Sequence, residues 1–326
     1  MKKHLFLAVG MTTLALGVSA QEYKEGYIDW GYGGSEFGEA VEKWEKGTPI
    51  SEDDNFFISR VKPRERFRNV ATQVNQEWDA TNDKKLIAWV PFNTSGKNAM
   101  PDGVYDSEVF NMWSYVTHWG NWNVPLGRVP AGLLDVAHKN GVAVSGVASI
   151  PYGNMFSFPD WSDCLEKMTD VGAQKVADFH RYYGVDGLGY NSEFSGGGYL
   201  VRALIPFHTE LVQIARKDNP LFENFWYDGT NDNGVVTFDQ GLGTHNDDIF
   251  GREDEHGASL FMNYNWNYAA RLSQCVDYAK SIGRSSLDLY AGVNMQGAEP
   301  QAGKFNSGDS WPLLKQYPIS IGLWGA

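Results

Sequence analysis

The sequence predicts an α/β fold, a (β/α)8 TIM barrel, on three observations. Short apolar, β-leaning runs recur eight times: Leu86–Val90, Trp113–Val116, Val142–Ala148, Val185–Tyr190, Phe222–Tyr227, Leu260–Tyr264, Leu287–Val293 and Ile319–Trp324. They are spaced by roughly 25 to 45 residues, the size of a strand-plus-helix unit. Most are apolar on both faces, as parallel strands covered by helices must be. Eight fairly regular units favour closure into a barrel over a doubly wound open sheet.

The segments between the runs read as helices. Pro130–Asn140 opens on proline, gathers Leu133, Leu134, Val136 and Ala137 on one side, and stops at Gly141. Asp160 is placed to cap the next helix, with Leu165, Met168, Val176 and Phe179 among its apolar residues. Leu204–Lys217 contains Pro206, which fits if the helix proper begins there. Asn267–Ile282 ends at Gly283. The longest loop, Gly229 to Ala258, contains the tight-turn signal Asp232-Asn233-Gly234 followed by Val235–Phe238, a small hairpin over the barrel mouth. The sequence stops on the eighth strand, without the helix that would follow it.

Ahead of the barrel, residues 1–20 read as a secretory signal. Lys2 and Lys3 precede an apolar run from Leu5 to Val18, and Val18-Ser19-Ala20 supplies small residues for cleavage. No cysteine follows that would take a lipid, so a secreted, periplasmic or extracellular chain is expected. Residues 21–80 form an extension packing on the barrel of residues 81–326. No later stretch is long and apolar enough to span a bilayer. Loss of the two signal lysines takes the formal charge from −13 to −15, which argues against nucleic acid and anionic membranes as partners. The two cysteines, Cys164 and Cys275, lie in helical patterns and read as buried free thiols rather than a disulfide. The seven histidines do not cluster, and no metal or cofactor site is expected.

In such barrels chemistry sits at the C-terminal strand ends. The fourth run ends Asn191-Ser192-Glu193, followed by Gly196, Gly197 and Gly198. Positions i and i+2 of a strand share a face, so an amide and a carboxyl point together into open space. The other ends supply His118 and Trp119, Trp226-Tyr227-Asp228, Asn263-Tyr264-Asn265-Trp266, and Asn294 with Gln296. Trp226 and Trp266 read equally well as sugar platforms or rim packing. Asp228 reads as a turn or helix cap first, Asp186 as structural, and His118 as a hydrogen-bonded residue before a base.

These segments carry a resemblance. Asp186-Gly187-x-x-x-Asn191-x-Glu193 resembles the strand-four motif of glycoside hydrolase family 85, the endo-β-N-acetylglucosaminidases. Phe225-Trp226-Tyr227-Asp228, Asn263-Tyr264-x-Trp266 and Leu289-Tyr290-x-Gly292-x-Asn294-x-x-Gly297 are similar to that family's strands five, six and seven. Ala137-His138-Lys139-Asn140-Gly141-Val142 matches its third unit. Five segments fall in the family's order from about residue 85 to the end.

The resemblance implies a mannosyl-glycoprotein endo-β-N-acetylglucosaminidase that cuts the GlcNAc-β-1,4-GlcNAc core of N-linked glycans with retention, the substrate's own acetamido group acting as nucleophile. Asn191 would orient that group, Glu193 would be the general acid/base, and Tyr227 a further hydrogen-bonding partner. Trp266, Phe238, Trp226, His118, Asn263 and Asn294 would bind sugar. Glu193 must be protonated near working pH, so a raised pKa is expected.

The chain also departs from the family. Phe238 stands where the family often has tryptophan, and Ala88-Trp89-Val90-Pro91 lacks its polar His-Asp pattern on strand one. The family's usual β-sandwich domains are not among these residues. The chitinase-type family 18 carries two further aspartates on strand four, where this chain has Gly189 and Asn191. A family 18-like enzyme and a catalytically silent glycan-binding barrel are the alternatives.

Overall fold

A computed structural model describes residues 36–50, 57–63, 82–90, 110, 112–122, 127–149, 158–253, 255–295 and 310–325. The signal segment, Gln296 and most of residues 21–80 fall outside the described residues.

Eight parallel strands close in sequence order, the eighth pairing with the first. They are β1 (Leu86–Val90), β2 (His118–Asn121), β3 (Ala143–Ser149), β4 (Gly187–Tyr190), β5 (Glu223–Tyr227), β6 (Ser259–Met262), β7 (Leu289–Asn294) and β8 (Ser320–Trp324). Around them run α1 (Glu36–Lys43), α2 (Ala131–Lys139), α3 (Phe158–Val171), α4 (Ala173–Tyr183), α5 (Gly198–Ala215), α6 (Asp247–Phe250), α7 (Ala269–Ser281) and α8 (Ser310–Gln316). Helix α1 lies on the flank: Phe37 and Trp44 meet Phe179 of α4 edge-to-face at 5.7 and 5.8 Å.

Four details differ from the sequence expectation. The second strand is His118–Asn121, not Trp113–Val116. Asp160 lies within α3 rather than capping it. Helix α5 begins at Gly198, so Pro206 sits in its interior. There its missing N–H costs one hydrogen bond, and the burial of Leu204, Phe207, Leu211 and Val212 on the barrel offsets that loss. The hairpin after β5 reduces to one antiparallel bridge, Thr230 with Val236.

The barrel interior is filled in layers, because inward residues alternate along each strand. In the middle layer, aromatic rings from some strands occupy the space that glycines leave on others. A Cβ on Gly120 or Gly189 would come within 2.0 or 2.3 Å of the Trp89 indole. One on Gly322 would come within 2.2 Å of the Phe261 ring. Below, toward the N-terminal strand ends, lies a buried polar layer: His118, Ser145, Glu223, Ser259 and Ser320, joined by Lys85 and Asp288.

Candidate active site

The upper interior layer follows from the same alternation. Gly187 and Gly189 face inward, so Asn191 does too, and by the same parity Tyr227, Asn263, Asn294 and Trp324 point into the mouth from β5 to β8. Strand β4 ends at Tyr190, and a tight turn brings Asn191 and Glu193 together: the Glu193 N–H donates to the Asn191 carbonyl at 2.9 Å. The Asn191 side-chain amide then donates to Glu193 Oε2 at 3.2 Å. Ser192 between them is fully buried.

Burial lifts the Glu193 pKa above the ordinary carboxyl value, and the hydrogen bond from Asn191 offsets part of that rise. Among the described residues no cation lies within ion-pair distance of this carboxyl. Gly229 makes room beside it: a Cβ there would lie 2.3 Å from the Ser192 carbonyl and 3.2 Å from Glu193 Cγ.

Tyr227 and Tyr264 lie near this carboxyl, with ring centroids 6.2 Å apart and their hydroxyls hydrogen-bonded. Both phenols are held protonated, by burial first; for Tyr227 the neighbouring Tyr264 comes next and then the charge of Glu193, which is the second cause for Tyr264. Phe238 is half-buried with its ring 6.2 Å from Tyr227, on a backbone at φ +47°. Gln240, at φ +61°, ties that loop to the next by accepting the Asn265 N–H at 2.8 Å. Such strained non-glycine positions persist where surrounding contacts over-determine them.

Asp228 joins three pieces of this rim. Its carboxyl accepts the Gly241 N–H at 2.9 Å, the Asn246 side-chain amide at 3.2 Å and, weakly, the Asn263 N–H at 3.5 Å. Burial, aided by the charge of Asp239, pushes its pKa up to about 8. Asp186 accepts from Val144 N–H, His138 and Asn219, each at 2.7 Å, joining β3, α2 and the segment before β5.

Of the expected sugar-binding residues, Phe238, Asn263 and Asn294 lie half-buried around the mouth. Three others need correction. Trp226 points outward by strand parity, is fully buried against Tyr190 and His208, and donates its N–H to the Thr230 carbonyl at 2.9 Å. Trp266 is fully buried with its N–H on the Gly292 carbonyl at 2.8 Å. His118 begins β2 and lies in the bottom layer, 3.5 Å from Glu223. None of the three can meet a sugar. Tyr264 and Thr230 had no assigned role in the sequence; the Asn263-Tyr264 segment carried a signal for the first, and nothing local marked the second.

Asp232, Asp247 and Asp248 bring carboxylate oxygens within 4.8 Å of one another. Asp232 is used by the N–H groups of Asp248 and Ile249, and Arg252 pairs with both Asp247 and Asp248. The group reads as loop anchoring.

No curated protein matches the chain. Among solved structures, the glycoside hydrolase domain of Spr0440, Endo-D from Streptococcus pneumoniae R6, superposes with a TM-score of 0.68 at 24% identity, over 88% of this chain and 45% of that one. The chain therefore spans less than half the length of that protein. The spore cortex-lytic enzyme SleL of Bacillus megaterium QM B1551 gives a TM-score of 0.40 at 13% identity, over 73% of this chain and 59% of that one. The chitinase ChiC of Aspergillus fumigatus gives 0.42 at 14%, over 74% and 91%. The family model of glycosyl hydrolase family 85 matches residues 93–326, most of the barrel and its mouth, and on that match the chain belongs to this family.

Proposed function

We propose that the chain is a secreted endo-β-N-acetylglucosaminidase that hydrolyses the GlcNAc-β-1,4-GlcNAc core of N-linked glycans by substrate-assisted catalysis with retention. The observation that carries this reading is one half-buried carboxyl, raised in pKa, hydrogen-bonded to one amide. The family match and the likeness to Endo-D support the substrate class.

In the first step the acetamido oxygen of the sugar attacks its own C1. The C1–O bond to the next sugar breaks, and that oxygen takes the proton of Glu193. Asn191 holds the acetamido group in line and supports the oxazolinium that forms; Tyr227 hydrogen-bonds beside it. In the second step water adds to C1, its proton returns to the Glu193 carboxylate, and the C1–oxazoline bond opens. Two displacements at C1 leave the configuration unchanged.

This route needs no carboxylate nucleophile, and the packing leaves no room for a second acidic side chain a layer below Asn191. The Trp89 indole occupies the space into which a side chain at position 189 would project. The family 18 arrangement, with an aspartate there, is therefore incompatible with this barrel as packed. For the mature chain, no described helix is long and apolar enough to cross a membrane.

The test is incubation with a high-mannose glycoprotein, followed by mass spectrometry. The expected product is free glycan with one N-acetylglucosamine left on asparagine, and none with E193Q. Folded wild-type protein that leaves the glycan intact would sink the hydrolase reading.

A further inference from the structure

We infer that Thr230 is a positioning residue for Glu193, and that the buried indole of Trp226 holds Thr230 in place. The inference rests on the hydrolase reading above. Thr230 is 2% exposed. Its hydroxyl accepts the Phe194 N–H at 3.0 Å and lies 2.8 Å from the carbonyls of both Ser192 and Phe194, which share its proton. A hydroxyl has one proton to give and lone pairs to receive with, so both capacities are spent on the two residues that flank Glu193.

The anchor is itself fixed. Trp226 donates to the Thr230 carbonyl at 2.9 Å, and its ring packs against Tyr190, His208 and Phe194, with centroids 5.4, 6.0 and 6.2 Å away. Gly229, the residue before Thr230, lies so close under the Ser192 carbonyl that a Cβ would reach within 2.3 Å. The end of β4 and the end of β5 are thus stitched through one hydroxyl. Glu193 reaches the mouth on a flexible side chain whose carboxyl accepts from the Asn191 side-chain amide at 3.2 Å. Its backbone must be held from elsewhere, and Thr230 holds it on both sides. General acid catalysis needs the carboxyl within hydrogen-bond reach of the leaving oxygen, so a turn of this peptide is felt at the reacting atoms.

The experiment compares wild type, T230V, T230S and W226F on a high-mannose Asn-linked glycopeptide. T230V removes the hydroxyl at nearly constant volume. Its kcat is expected to fall about 30-fold or more with KM within about threefold, a size typical of a small misplacement of a catalytic group. The alkaline limb of its pH–rate profile should move to lower pH, because a carboxyl that swings toward water loses the burial that raises its pKa. T230S keeps the hydroxyl and should recover to within about threefold of wild type, while W226F should lose activity in the same sense but less. A folded T230V with kcat within about threefold of wild type would overturn the inference, as would a T230S as impaired as T230V. If T230V does not fold, W226F decides: unchanged kcat and an unchanged pH profile overturn it. An active wild type with an unaffected T230V sinks this inference alone. A wild type that releases no glycan sinks the hydrolase reading and this inference with it.

Discussion

Glu193 and Glu223 stand inside the same barrel at opposite ends, one strand apart, and are held in opposite ways. Glu223, at the bottom, has Lys85 at 3.0 Å, the Tyr290 hydroxyl at 3.0 Å and His118 at 3.5 Å, with Ser259 donating as well. Burial alone would raise its pKa, but the charge of Lys85, helped by the hydrogen bond from Ser259, outweighs burial and holds it below the ordinary value. Glu193, at the top, is half-buried with no cation in ion-pair distance among the described residues, and burial wins. The same side chain is a fixed anion in one layer and, in the proposed mechanism, a proton donor in the other. Partners decide which.

The bottom layer is closed on itself. Lys85 also pairs with Asp288 at 3.0 Å, and Arg284 reaches Asp288 at 3.0 Å. Two cations meet two anions, which is the condition under which buried charge is tolerable. The top layer has amides and phenols instead: Asn191, Tyr227, Asn263, Tyr264 and Asn294. Those groups carry no charge that would hold Glu193 as an anion.

The largest expected effect separates the two glutamates outright. E193Q should lower the rate of glycan release by about a thousandfold or more, within the range of a lost general acid/base, while leaving the melting temperature near that of wild type. E223Q should do the reverse: activity per folded molecule kept, and stability lower by about 3 kcal/mol in urea unfolding, because Lys85 loses a buried partner. A fully stable E223Q, or an E193Q that still turns over, would collapse the distinction.

Next in size is N191A, expected to slow cleavage of intact glycan by about a hundredfold while still accepting a preformed sugar oxazoline, since only formation of the intermediate needs the orienting amide. Equal losses on both substrates would move Asn191 to another role. A smaller, purely structural effect is expected for G189A, which presses on the Trp89 indole and should cost about 1–3 kcal/mol by chemical denaturation.

The weakest signal is the pH dependence of stability. Glu223 has a depressed folded pKa, so its stabilisation is present above the unfolded value and is lost as pH falls through the folded one. Glu193 and Asp228 have raised folded pKa values, so their contributions are full below the unfolded values and are lost as pH rises, for Asp228 through about 8. Urea unfolding between pH 3 and 9 should show the acid limb flatten in E223Q and the alkaline limb flatten in E193Q.

Most of the fold was legible because buried parallel strands must be apolar on both faces, and seven of the eight runs overlap the strands they predicted. The second was misplaced because its strand, His118–Asn121, is polar or small on its inward face, where Trp89 takes the space above Gly120. That exchange of ring for glycine is visible only across strands. The pairing of Asn191 with Glu193 was legible because the two are neighbours in sequence as well as in space. The tryptophans misled for a local reason. Trp226 adjoins Tyr227 in sequence, but strand parity sends one into the mouth and the other into the layer beneath α5. Thr230 acts only through contacts with another strand, so no pattern in its own segment marks it.

One measurement tests the contrast most directly: a carboxyl-carbon NMR titration of protein labelled at glutamate, for wild type, E193Q and E223Q. The account predicts one glutamate that titrates above the ordinary range and disappears in E193Q, and one that titrates below it and disappears in E223Q. A high-titrating glutamate that survives in E193Q would contradict it.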